Sequence, residues 1–264
     1  MKKLLLLMLL GLATFSSQAA SFDHGSWDAL LKKHVIAINH GVATQVDYSG
    51  FSRDRFQLKA YLRSLESVSK QTFNRWSKSD QLAFLINVYN AWTIELILTE
   101  YPKLKSIKDL GSWLESPWDR RFIPLLGGTH SLDDIEHGMI RAEGVYQEPR
   151  IHFAVNCASI GCPALATSAF NGDKLDLQLD GVTRAFLSDR SRNYLQGDTL
   201  NVSKIFKWYR DDFERGWGGY QKLQQFLVAY QTSLGLSDHD IQRLYSADIE
   251  IEFLDYNWRL NDKH

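Results

Sequence analysis

The sequence is sparing with cysteine and proline, with two of the first and five of the second in 264 residues. Two cysteines exclude a disulfide-dense scaffold, and the four residues between them do not match the close pairs of structural zinc sites. The absence of any Gly-, Ser- or Pro-rich tract excludes a flexible linker, so nothing divides the chain into modules. Neither charge sign is in excess: 30 Lys and Arg face 31 Asp and Glu. That balance excludes the basic footprint of a nucleic-acid partner.

The N-terminal apolar run, Leu4 to Phe15, falls short of the roughly 20 residues that a membrane span needs. Lys2 and Lys3 precede it and Ser17-Gln18-Ala19 follows. This is the pattern of a signal peptide over residues 1–19, with no cysteine after it to take a lipid anchor. The expectation is a periplasmic or secreted protein that does not span the membrane, with one domain over 21–264. In that oxidising setting an even cysteine count leans toward a Cys157–Cys162 disulfide.

What the chain does hold is helical periodicity. It predicts helices from Ser26 through about Val35, over 52–66, and from Ser77 or Ser79 to Tyr101 before Pro102. The third is apolar nearly all round from Leu82 to Leu98, interrupted by Asn87, Asn90, Thr93 and Glu95. Two amides and a carboxylate at mid-helix argue for a core helix over a membrane span. Asp80, Ala83, Asn87, Asn90 and Ile94 share one stripe of it, which must face polar company, because a buried unpaired amide costs about 1 to 3 kcal/mol.

Further helices are predicted over 131–141, 172–188, 203–212, 219–233 and 237–245. Residues 44–48 read as extended, and a closing strand is predicted over 249–254. Hairpins are predicted around Gly127-Gly128 and Gly197. Segment 150–156 fits a strand, by the alternation of Ile151, Phe153 and Val155, or a helix begun by Pro149. The sum is α+β: a helix-rich single domain with a small, mostly antiparallel sheet.

The chemistry concentrates at R-I-H-F-A-V-N-C-A-S-I-G-C-P, residues 150–163. A bond between Cys157 and Cys162 would close a six-residue loop, a gain of about 2 kcal/mol, and would silence Cys157 as a nucleophile. The opposing reading makes Cys157 a nucleophile with His137 or His152 as its base and Asn87 or Asn90 as the third group. Asp133, four residues before His137 on a helical face, would favour the charged ring. A metal set of His137, His152, Cys157 and Cys162 has weak spacing, and thioredoxin-like exchange uses two intervening residues where four stand here. Neither a metal nor a cofactor is expected. Eight tryptophans, Trp92, Trp113, Trp118, Trp208, Trp217 and Trp258 among them, are chiefly core, with a few that could line a groove for a glycan or peptide.

Four motifs in order resemble one known family. A-F-L-I-N-V-Y-N-A at 83–91, S-L-D-D-I-E-H-G-M-I-R at 131–141, the cysteine segment at 150–163 and S-K-I-F-K-W-Y-R-D-D-F at 203–213 are similar to the domain-of-unknown-function 547 family. The closing L-D-Y-N-W-R-L-N, 254–261, is similar to the family's end. The resemblance implies signature roles for Asn87, Tyr89, Asn90, Glu136, His137, His152 and Cys157. Plant-type members keep a cysteine like Cys157 without an obvious match to Cys162, which implies a role for Cys157 of its own. The order His137 then Cys157 also suggests an analogy to permuted papain-like hydrolases.

Two expectations follow. One is a thiol-dependent hydrolase or acyltransferase on peptide or amide bonds: Cys157 attacks, His137 or His152 is the base, Asn87 or Asn90 orients or stabilises an oxyanion, and Glu136 assists. The other is a non-catalytic domain with Cys157 and Cys162 bonded, in which Tyr89 and Trp118 help hold a small molecule, peptide or glycan.

Overall fold

The computed structural model describes residues 21–112 and 115–263; the leader expected at 1–19 and Trp113 lie outside them. Helix α1 (Gly25–His34) runs directly into an antiparallel hairpin of β1 (Val35–Ile38) and β2 (Ala43–Val46). Val35, placed in the helix by its periodicity, opens the strand instead, since the β-branched pair Val35-Ile36 suits an extended backbone. Two helices, α2 (Tyr48–Arg53) and α3 (Arg55–Glu66), stand where one is expected over 52–66. The break falls at Asp54, whose carboxylate takes hydrogen bonds from Lys33 and His34 of α1.

After α4 (Lys70–Asn74) comes α5 (Lys78–Leu98), capped by Ser77, whose hydroxyl accepts from the Asp80 amide. By length and composition α5 could cross a membrane, yet 94% of its apolar window is buried inside the protein. It is the central core helix. The Gly127-Gly128 hairpin forms as β3 (Ile123–Leu125) and β4 (Gly128–His130). Ser131 and Asp134 then make a reciprocal capping box at the start of α6 (Leu132–Ile135). This helix widens into a π turn over Glu136–Ile140, the kind of irregularity that often marks functional sites.

Residues Pro149–Phe153 coil as a 3-10 turn. The strand reading of 150–156 is therefore corrected: Pro149 fixes a helical start, and the backbone of 154–156 bonds to an asparagine of α5 instead of to a neighbouring strand. The chain continues through α7 (Leu175–Ser188) and the hairpin β5 (Tyr194–Gln196) with β6 (Thr199–Val202). Short helices α8 (Ile205–Trp208), α9 (Arg210–Glu214), α10 (Leu223–Ala229), α11 (Gln231–Leu234) and α12 (Asp238–Tyr245) follow. Strand β7 (Glu250–Phe253) closes the fold parallel to β6, the one parallel pair among the named strands. The architecture is helix-rich α+β, as the periodicity predicts.

Two apolar clusters make the core. The first surrounds α5 and includes Trp27, Phe51, Phe84 and Ile151; the second gathers Phe153, Phe186, Phe206, Phe213 and Phe226. Ile151 and Phe153, two residues apart, belong to different clusters, so the 3-10 turn stitches them together. The cysteine segment leaves from that seam.

The polar company of the α5 stripe is backbone. Asn87 Nδ2 donates to Phe170 O at 2.8 Å and its Oδ1 accepts from Phe170 N at 3.1 Å. Asn90 does the same across a gap, donating to Ala154 O at 2.9 Å and accepting from Asn156 N at 2.8 Å. Asn90→Ala leaves two buried backbone groups unpaired, so it is expected to lower stability by about 2 to 4 kcal/mol. Urea denaturation with unchanged slope reads this; a midpoint equal to the wild type's would refute it.

Candidate functional site

A cleft of about 220 Å³ opens at the seam, lined by residues from both clusters. Its polar floor comes from the π turn and the 3-10 turn. Glu136 is nearly buried, and its Oε1 accepts from the Tyr209 hydroxyl at 2.8 Å. Burial, and then the Glu136 carboxylate, hold the Tyr89 hydroxyl well above the ordinary tyrosine range, so it stays protonated beside that charge.

Asp133, one turn earlier, is pushed up to about 7. Burial does most of this, followed by a hydrogen bond to Asp119 and the charges of Asp119, Glu136 and Asp134.

The two imidazoles differ in what they have free. His137 is exposed, with Nε2 3.6 Å from Asp133 Oδ1 and Nδ1 accepting from the Arg141 guanidinium. Its lone pair is therefore occupied. His152 is fully enclosed, stacks on the Tyr209 ring at 3.9 Å and has Nε2 2.8 Å from Asp212 Oδ2. An ionised carboxylate can only accept, so Nε2 carries the proton and Nδ1 is left as a buried acceptor with no hydrogen-bond partner among the described residues. Burial lowers the His152 pKa, with the Asp212 hydrogen bond opposing, which favours this neutral form.

Asp212 itself has no exposed side-chain surface, yet it stays charged. Burial alone would raise its pKa, but hydrogen bonds from His152 and Arg141 outweigh that and hold it at about 2. Arg141 Nε lies 2.5 Å from Oδ2 and Arg215 Nη2 2.8 Å from Oδ1. The Arg141 guanidinium also sits over the Tyr209 ring.

The opposite wall is aromatic. Tyr256 and Trp258 lie 4.5 Å apart by ring centroid, Trp208 packs on both, and Trp118 meets Trp258 edge-on. Lys108 Nζ rests 3.7 Å from the Trp258 ring centre. Between wall and floor lie the two cysteines, joined as a disulfide. Cys157 is partly exposed to the cleft and Cys162 is 4% exposed. Residues 157 and 162 thus have no free thiol, and a nucleophilic Cys157 would exist only in the reduced chain. Among the described residues no three His, Cys, Asp or Glu side chains converge as metal ligands.

Residues 73–187 match the family model described as a protein of unknown function, DUF547. This stretch is a DUF547 domain. No curated protein and no solved structure matches the chain. The DUF547 stretch supplies the floor, Trp118 and both cysteines, while Tyr209, Asp212, Tyr256 and Trp258 come from beyond it. Of the expected site residues, Tyr89, Trp118, Glu136, His137, His152 and Cys157 all line the cleft.

Asn87 and Asn90 do not line it, and both ends of each amide are engaged by backbone, so the group that orients an imidazole is Asp212 instead. Asp212, Tyr209 and Tyr256 were legible only as letters of the motifs at 203–213 and 254–261. No local pattern ties them to His152 or the cysteines.

A larger groove of about 480 Å³ carries Lys70, Lys78, Gln81 and His130 among apolar side chains. The smaller cleft, unlike this groove, brings together Tyr89, Glu136, His137, His152 and Cys157, so it is the stronger candidate.

The Asp212 charge makes stability depend on acid. Its folded pKa lies below the unfolded value, so its contribution, about 2 kcal/mol, is complete above roughly pH 4 and is lost as pH falls toward 2. Asp212→Asn should therefore cost stability at pH 6 and progressively less below pH 4. Paired denaturation curves across that range check it, and a pH-independent gap would contradict the ion pairing.

Proposed function

We propose that the cleft binds a compact amine-bearing ligand, with the Cys157–Cys162 bond closing its floor and no covalent catalysis by Cys157. The observation behind this is the polarity of the site. The carboxylates of Glu136 and Asp133 line the cleft together with a wall of Trp and Tyr rings. Carboxylates and ring faces both attract ammonium groups, and the Lys108 ammonium already rests on Trp258 at the rim. The chain is read as an exported, periplasmic or secreted protein, on its leader pattern and because the bond persists in an oxidising compartment.

Choline is a suitable probe, because its charge does not titrate. Quenching of the cleft tryptophans by choline should saturate, and Trp258→Ala should weaken it. Asp133 ionises near pH 7, so choline affinity should rise between about pH 6 and pH 8, and Asp133→Asn should flatten the rise. Saturable quenching by a neutral sugar but not by choline would turn the reading toward glycans.

A second reading, the thiol-dependent hydrolase or acyltransferase, draws on one observation. In the reduced chain, Cys157 would share the cleft lining with a histidine whose Nε2 is held by Asp212 and whose Nδ1 has no hydrogen bond among the described residues. Intact mass with and without reductant separates the two. The native chain is expected to be lighter than the reduced one by two hydrogens and unlabelled by maleimide; native labelling at Cys157 would favour the thiol enzyme.

A further inference from the structure

The disulfide is not what holds its own loop in shape. Ile160 N donates to Arg259 O and Gly161 N to Asn257 O, each at 2.8 Å, while Asn261 N donates to Ala158 O at 3.1 Å. Arg192 adds three bonds to the carbonyls of Ile160, Gly161 and Cys162. Six hydrogen bonds therefore fasten residues 158–162 whether or not the sulfurs are joined.

The two sulfurs also differ. Cys157 is the partly exposed member at the cleft, and Cys162 is enclosed. The Cys157 amide donates to Cys162 Sγ at 3.0 Å, and the Tyr256 hydroxyl lies 3.1 Å from each sulfur and can donate to either. Burial raises the Tyr256 pKa, so the phenol keeps its proton at any physiological pH. Gly161 is what lets that ring come so close: a Cβ there would lie 2.9 Å from the Tyr256 ring and 3.0 Å from Asn257 N. The amide therefore favours Cys162 Sγ, and the shared hydroxyl can turn fully to it once charge appears there, as it would if the bond opened from the Cys157 side.

We propose that the Cys157–Cys162 bond is an exchange site for a small aminothiol. The amine half of this assignment rests on the ligand reading above; the sulfur half does not. The thiolate attacks Cys157 Sγ from the cleft, forming a mixed disulfide, and the Cys157–Cys162 bond breaks. The electron pair leaves on Cys162 Sγ, held by the Cys157 N–H and the Tyr256 O–H. A second thiolate attacks the ligand sulfur of the mixed disulfide, releasing the ligand as its symmetrical disulfide and Cys157 as thiolate. Two thiols are oxidised and one protein disulfide is reduced, with no other reactant. The ligand's ammonium meets Glu136 and Asp133 while its sulfur reaches Cys157. The cleft volume of about 220 Å³ suits a molecule of that size.

The test treats the native protein with cysteamine or 2-mercaptoethanol at matched thiolate concentration. Samples are quenched by alkylation, sites are mapped by mass, and circular dichroism follows the fold. The expected result is a mixed disulfide on Cys157 in a folded chain, formed about tenfold faster with cysteamine. Tyr256→Phe should slow opening about threefold to tenfold with the circular dichroism unchanged. A bond that opens only as the chain unfolds, or an adduct confined to Cys162, overturns the exchange.

Equal rates for the two thiols overturn the aminothiol assignment. The choline titration then shows whether the amine-binding reading has failed with it. Cys162→Ser offers a second route, since its lone Cys157 should be capped by cystamine, whereas the enclosed Cys162 of Cys157→Ser should not be.

Discussion

The position of the cleft depends on one buried side chain, Asn90. Its amide spans the gap between Ala154 O and Asn156 N, fastening the irregular segment that follows the 3-10 turn to the central helix. That segment has no strand or helix of its own to satisfy its backbone, so a helix side chain supplies the missing partners. Asn156 extends the bracing, with its amide donating to Pro163 O and its Oδ1 accepting from Ala158 N. Cys157 is held on both sides by these bonds. His152, near the end of the turn two residues before Ala154, is carried on the same fastening.

A buried charge does the equivalent work on the C-terminal side. Asp212 draws together Arg141 from the end of the π turn, His152 from the 3-10 turn and Arg215 just beyond its own helix α9. A carboxylate with no exposed surface is tolerated because Arg141 and His152 hydrogen-bond one oxygen and the Arg215 guanidinium lies beside the other. In consequence, the residues beyond the DUF547 stretch complete the site rather than merely follow it. Tyr209, packed between His152 and Arg141 and bonded to Glu136, carries the same connection from one cluster to the other.

The cleft therefore has three parts with separate physical origins. Its acceptor-rich floor comes from a helix that loosens into a π turn, leaving Asp133 and Glu136 among one another's charges. Its aromatic wall comes from the irregular C-terminal tail, where Tyr256 and Trp258 pack at a tilt on Trp208 of α8. Its sulfur pair lies in a loop that hydrogen bonds hold independently. This separation underlies both proposals: a rigid frame can recognise a ligand, and it can also let one covalent bond open without giving up the fold.

Much of the architecture was legible in the chain because it is written in local terms. Periodicity located α5, the Ser131 box and the hairpins, and the amides of Asn87 and Asn90 announced a need for buried partners. The identity of those partners was not local: Phe170, Ala154 and Asn156 are separated from them by 64 to 83 residues. The same holds for Asp212, which sits 60 residues from His152, and for Tyr256, which sits 94 from Cys162.

The sequence by itself determined the helices, the signature side chains and the even pair of cysteines. Only the tertiary structure decided that the asparagines serve the backbone, that Asp212 orients His152, and that the cysteines lie bonded beside Tyr256. Side-chain identity and short-range spacing set secondary structure and the demand for partners. Which partner meets that demand is settled by long-range packing of the two apolar clusters, which no spacing along the chain encodes.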